Sequence, residues 1–157
     1  MFLFCTIKMK LLKRGLLLLA LLFFVITGAD AQAVKQKNVP SIILNAFQLK
    51  FPKAADVKWE LENGMYKAEF ELDNIDHEVW LDHSGRWKKH KQDFEEKDLP
   101  KAVKAAIQAT YKDFEVHNVE LIEEGRRKFY KMKLERSTVN RKVIFDEHGK
   151  IIFDKEN

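Results

Sequence analysis

The sequence predicts an α+β fold: two tandem α-β-β-β-β repeats, forming an antiparallel sheet with helices packed on one face. Three observations predict it. One pattern is written twice, over residues 38–91 and 98–157. Within each copy the apolar period switches from helical spacing to strict alternation. Each reversal of the chain falls on Gly, Asn or Asp, residues that tolerate tight turns. An internal repeat fixes architecture before any local motif does. Here Val39, Ile42, Ile43, Ala46, Phe47 and Phe51 stand sixty residues before Leu99, Ala102, Val103, Ala106, Ile107 and Tyr111. Further on the offset is 64, so that Tyr66 meets Tyr130, Val79 meets Val143 and Gly85 meets Gly149. Four inserted residues, near Glu115 and in the Glu123–Lys128 turn, account for the change.

Gln32 to Lys37 reads as a short mobile polar tail. Asn38 is placed to cap a helix with Pro40 in its first turn. Val39 to Phe51 then form one apolar stripe, and Phe51-Pro52 ends the helix. Val57, Trp59 and Leu61 alternate with Lys58, Glu60 and Glu62, a strand with one wet face. Asn63-Gly64 is a strong hairpin signal, because both residues accept positive φ. Tyr66, Ala68, Phe70 and Leu72 form the next strand, and His77, Val79 and Leu81 the third. The tight turn Asp82-His83-Ser84-Gly85 leads to a fourth strand at Arg86–Lys91. The acidic connector Asp93–Asp98 is too short to separate independent domains. Asp98 caps a second helix to about Tyr111, and strands follow at 118–123, 128–136, 141–146 and 151–154. Either copy alone is marginal in size, so residues 32–157 read as a single mature domain.

Residues 1–31 read as a cleaved export signal. Lys8, Lys10, Lys13 and Arg14 are its basic region, Leu16–Ile26 its apolar run, and Ala29-Asp30-Ala31 the small-x-small site. Met9 is an alternative start. The apolar run is shorter than the roughly 20 residues that span a bilayer. No integral membrane segment is therefore expected after cleavage, and a periplasmic or secreted location follows. The only cysteine, Cys5, lies in the removed segment, so no disulfide or thiol chemistry is expected. Taking away the four basic residues and Asp30 leaves 24 Lys and Arg against 23 Asp and Glu. That balance is not the footprint of a nucleic-acid binder.

The segments Val39–Pro52 and Leu99–Tyr111, each followed by a hairpin and by the strand-turns Val79–Gly85 or Val143–Gly149, carry a resemblance. They resemble the PepSY-like, beta-lactamase-inhibitor-like exported proteins of Bacteroidetes. The resemblance covers almost all of the mature chain. It implies an exported, non-enzymatic domain with a sheet surface open to a protein or peptide in the cell envelope. The namesake inhibitor uses a concave sheet built from tandem repeats, and carries disulfides that this chain lacks.

Chemistry-bearing motifs are sparse. His77, His83 and His90 lie in or beside the third and fourth strands, but no pair has a metal-ligand spacing, so no cofactor is expected. His83 aligns with Glu147, His148 aligns with Ser84, and His117 stands alone. Ser41, Ser84 and Ser137 sit in no Gly-x-Ser-x-Gly elbow, and the glycines are single turn residues. The chain is not expected to be an enzyme. Arg126, Arg127 and Lys128 form a basic tip that Glu120, Glu123 and Glu124 dilute.

The wet sheet face is more informative. Alternation turns Lys67, Glu69, Glu71, Glu78 and Trp80 outward in copy one, and Lys131, Lys133, Glu135, Lys142 and Ile144 in copy two. Glu69 becomes Lys133, Glu78 becomes Lys142 and Trp80 becomes Ile144, so the face changes sign between copies. An outward Trp among charges has the composition of a binding patch. The residues expected to meet a partner are Trp80, Glu69, Glu71, Glu78, Lys131, Lys133, Lys142 and Ile144. The plainer reading is a covered Trp80 with cross-strand pairs that only solubilise. The function expected is a binding or inhibitor-like module. A structural or envelope-stress protein is the alternative, and a small hydrolase or metal enzyme a third.

Overall fold

In the computed structural model, residues 31–157 are described. The export signal expected over residues 1–31 lies, Ala31 apart, outside them. Nine strands form one open antiparallel sheet in strict sequence order. They are β1 Gln32–Val34, β2 Ala55–Glu62, β3 Met65–Leu72, β4 Ile75–Leu81, β5 Trp87–Asp93, β6 Glu115–Glu124, β7 Arg127–Arg136, β8 Val139–Asp146 and β9 Ile151–Glu156. Two ten-residue helices, α1 Ser41–Lys50 and α2 Lys101–Thr110, complete the fold. This overturns the α+β assignment of two four-stranded repeats. The described residues are mainly β, one continuous nine-stranded sheet with two short α-helices as an accessory layer.

The ninth strand comes from the tail that was expected to be mobile. Gln32, Ala33 and Val34 pair with Leu61, Glu60 and Trp59, and Val34 packs on the first core. Neither Asn38 nor Asp98 caps a helix. Both lie in short 3-10 turns, and Pro40 and Pro100 precede the first helical residues. Ala55 pairs with Glu71 and Glu115 with Glu135, which keeps the offsets at 60 and 64. All four inserted residues therefore lie in the tip of the β6–β7 hairpin, none near Glu115.

The helices do pack on one face. Ile43 and Phe47 of α1 join Trp59, Ala68, Phe70, Val79 and Leu81 in a first core. Val103 and Ile107 of α2 join Leu121, Tyr130, Met132, Leu134, Val143 and Phe145 in a second. The pairs Phe70–His77, His77–Gln92, Gln92–Leu121 and Leu121–Tyr130 run from one core to the other. Directly paired residues share a face, so both helices lie on the same side. The turns after β4 and β8 lock each helix down. A Cβ on Gly85 would sit 3.1 Å from the Ile42 carbonyl oxygen, and one on Gly149 only 2.5 Å from that of Ala102.

Candidate functional site: the uncovered sheet face

On the side away from the helices, the strands place long charged residues opposite one another. The result is an ion-pair ladder crossing six strands. Lys67 on β3 reaches Glu60 on β2 at 3.6 Å, Glu69 on its own strand at 2.5 Å and Glu78 on β4 at 3.3 Å. Lys91 on β5 bridges Glu78 to Glu120 on β6, the latter at 3.3 Å, and Glu120 pairs onward with Lys131 on β7. The Lys91–Glu120 rung joins the two copies. Burial opposes the charge on Lys67, yet the hydrogen bond to Glu69 and the Glu78 carboxylate raise its pKa. Burial likewise opposes the charge on Glu120, which the Lys131 and Lys91 ammonium groups hold below the usual carboxylate range.

The ladder determines where the eight expected residues stand. Glu69, Glu78 and Lys131 are rungs. Glu69, Glu71 and Glu78 line an open recess of about 380 Å³ together with Asp56, Lys58 and Asp76. Lys133 pairs with Glu135 on its own strand, whereas Lys142 is exposed and has no ion-pair partner among the described residues. Trp80 points to this face but is only 7% exposed. Its Nε1–H donates to Glu62 at 2.8 Å, and the Lys89 and Lys67 ammonium groups lie 4.7 and 5.6 Å from its ring centroid. Ile144 lies opposite Lys131 on one side and Phe153 on the other.

The sequence reading missed the apolar strip around Ile144. Ile122 pairs with Phe129 and Ile144 with Phe153, both on this face, and Phe153 is 40% exposed. Diagonal neighbours on paired strands are within reach of aromatic side chains, so the four residues make a continuous strip over β6–β9. A signal was present. Leu121-Ile122 and Phe129-Tyr130 are apolar doublets, and Val143-Ile144-Phe145 and Ile151-Ile152-Phe153 apolar runs of three, which break the alternation of their strands. A doublet in a strand puts one apolar side chain on each face.

A second constellation sits on the helix side, where the two copies meet. His77 Nδ1 and His90 Nε2 are 3.0 Å apart, and His90 Nδ1 lies 3.2 Å from Glu123. The two rings stack, with Phe70 and Phe51 beside them. Burial lowers both histidine pKa values, partly offset by the Leu72 backbone at His77 and by Glu123 at His90. Among the described residues no group of three His, Cys, Asp or Glu is arranged to hold a metal ion.

An open sheet of tandem repeats, with both helices of the described residues on one face, is the shape expected of the inhibitor-like proteins. The family model described as "Putative beta-lactamase-inhibitor-like, PepSY-like" matches the chain twice, over residues 26–76 and 64–153. The chain belongs to this family. A DUF2874 family protein from Bacteroides uniformis is similar in structure, with a TM-score of 0.68 and 23% identity, covering 74% of this chain and 88% of that one. A BLIP-like protein from Bacteroides fragilis gives a TM-score of 0.64 at 24% identity, covering 74% and 85%. A protein from Bacteroides eggerthii, among those described as "putative periplasmic proteins", gives 0.68 at 20% identity, covering 75% and 88%. At these identities the likeness is one of fold. No curated protein matches the chain.

Proposed function

We propose that this chain is an exported, non-enzymatic binding module that holds a protein or peptide partner on the uncovered sheet face. One observation carries the reading. The apolar strip Ile122, Phe129, Ile144 and Phe153 lies on the face away from the helices, beside Lys131, Lys133 and Lys142. Such a strip flanked by polar groups has the composition of an interface core with its rim. Membership of an inhibitor-like family supports a binder over an enzyme. So does the engagement of Glu69, Glu78 and Glu120 in ion pairs. Export is supported by the basic region, the apolar run and the Ala29-Asp30-Ala31 site, and by the neighbour described as periplasmic. No helix among the described residues is long and apolar enough to cross a membrane.

The anchor in this reading moves from Trp80 to Phe153 and Ile144, with Lys142 and Lys133 steering association. The test is site-specific photo-cross-linking in the cell envelope, with the probe at Phe153, at Lys142 or at exposed Leu49 of α1. A single adduct from the first two positions and none from Leu49 is expected. The captured protein, once purified, should bind the wild type and lose about 2 kcal/mol or more with Phe153→Glu. Adducts only from Leu49 would overturn the reading.

A further inference from the structure

β9 is the open edge of the sheet. Its place in the repeat is that of β5: Leu81 pairs with Trp87 and Phe145 with Ile151, sixty-four residues on, with the same bulge beside each pair. The far edge of β5 is occupied. β6 joins it through His90–Glu123, Lys91–Ile122, Gln92–Leu121 and Asp93–Glu120, and the Phe94 N–H continues the ladder to the Val119 carbonyl. Among the described residues the far edge of β9 has no partner, and all six of its residues are exposed.

The complementary edge is at the other end of the sheet. At the offset of sixty, β2 corresponds to β6, so Trp59, Glu60 and Leu61 stand for Val119, Glu120 and Leu121. β1 holds that edge in the register of the seam. Gln32, Ala33 and Val34 face Leu61, Glu60 and Trp59 as Gln92, Asp93 and Phe94 face their equivalents. Val34 and Phe94 even pack alike, each against its own core. The chain thus carries both halves of its β5–β6 seam a second time, one open and one covered by two residues and an anchor. The charges agree. Lys91 and Glu120 bridge the seam at 3.3 Å. Their equivalents are Lys155, which has no ion-pair partner among the described residues, and Glu60.

We propose that β9 is an assembly edge whose occupant is β2 of a second copy, and that Gln32 and Ala33 are the plug that withholds it. In the register of the seam, Lys155, Glu156 and Asn157 face Glu62, Leu61 and Glu60 of the second copy. Lys155 then reaches Glu60 as Lys91 reaches Glu120. The position beyond Asn157 is that of Val34 of the second copy, as Phe94 follows Asp93, so Val34 keeps its place in the core. Pairing of β9 with itself about Asp154 or Lys155 would set like charges face to face. The contact is head-to-tail and does not close on itself, so the product is a lengthening ladder of copies.

The test is sedimentation of the full protein over a range of concentration. The wild type is expected as a monomer. Deletion of Gln32 and Ala33 should give oligomers that lengthen with concentration while the melt stays cooperative. In that background Lys155→Glu should weaken association about tenfold, the effect of turning one attractive cross-strand pair repulsive. Adding Glu60→Lys should restore it. An excess of a peptide spanning Gln32–Asn38 should return the deletion variant to monomer. If the deletion unfolds the protein, Ala33→Pro replaces it with the same readouts. A monomeric uncapped protein, or oligomers indifferent to both the charge exchange and the peptide, would overturn the proposal.

Discussion

Trp80 and Ile144 occupy the same position in the two copies, yet their surroundings make them different objects. Around Trp80 stand Glu62 and Lys89, which fold over the indole as a hydrogen-bond acceptor and a cation. Their equivalents around Ile144 are Ile122 and Phe153, which cannot close over it with charge. One position is sealed by its neighbours, and the other belongs to an apolar strip that is buried at Ile122 and exposed at Phe153. The same divergence appears on the helix side. His77 and His90 of copy one correspond to Arg141 and Asp154 of copy two, which form an ion pair at 2.9 Å. Tyr111, in the place of Phe51, donates its hydroxyl to Asp154 at 2.7 Å. Burial and that carboxylate push the Tyr111 pKa up to about 12. A neutral stacked pair suits the covered seam. A charged pair suits the sheet edge, where water shares the cost of the charges.

The largest expected effect separates the two helix-facing turns. Gly149→Ala should cost about 3 kcal/mol or more, since positive φ and a backbone oxygen oppose the new methyl together. Gly85→Ala, whose Cβ would meet the Ile42 carbonyl oxygen at 3.1 Å rather than 2.5 Å, should cost about 2 kcal/mol. Urea unfolding of both variants measures the difference; equal losses would mean that α1 and α2 are held alike.

Next comes the sealed indole. Trp80→Ala should lose about 3 kcal/mol, the scale of an aromatic core truncation. Ile144→Ala should stay within about 1 kcal/mol in the free protein. If the two losses were the same, the lid of Glu62 and Lys89 would count for nothing.

A smaller effect depends on pH. Burial holds His77 and His90 below the ordinary 6.5, so the folded state binds fewer protons than the unfolded one as pH falls through that value. Their contribution is complete above 6.5 and is lost on acidification toward their folded values. The melting temperature should therefore fall between about pH 7.5 and 5.5. The Arg141–Asp154 pair contributes nothing in that window, because Asp154 titrates from 3.8 downward. His77→Phe should flatten the slope, and an unchanged slope would place the titration elsewhere.

The smallest effect is the rung between copies. Lys91→Met should cost about 1 kcal/mol, and less in high salt, as partly exposed ion pairs do. A double-mutant cycle with Glu120→Gln isolates the coupling.

Much of the fold was legible because its signals are local. Asn63-Gly64, the Asp82–Gly85 turn and the alternation of β3 and β4 each specify themselves within a few residues. β1 was not legible from periodicity. Three residues, Gln32 to Val34, carry no period, and their strand exists only because β2 offers an edge. The sheet outgrew the α+β assignment for the same reason, since edges join in space rather than in sequence. On the candidate face, orientation was readable and exposure was not. Alternation turns Trp80 outward correctly, but whether long neighbours close over it depends on rotamers and cross-strand register. The His77–His90 contact likewise needed the β4–β5 register, which a bulge beside Trp80 and Leu81 shifts.

Every strand of this sheet pairs only with the strands before and after it in the chain. The fold therefore needs no segment to wait for a distant partner. Each hairpin can close as soon as its second arm clears a ribosome or a translocation pore, and the growing edge is always the newest strand. Low contact order of this kind favours fast, vectorial folding. It also means that an arrested chain presents, at every stage, an unfinished edge to its surroundings.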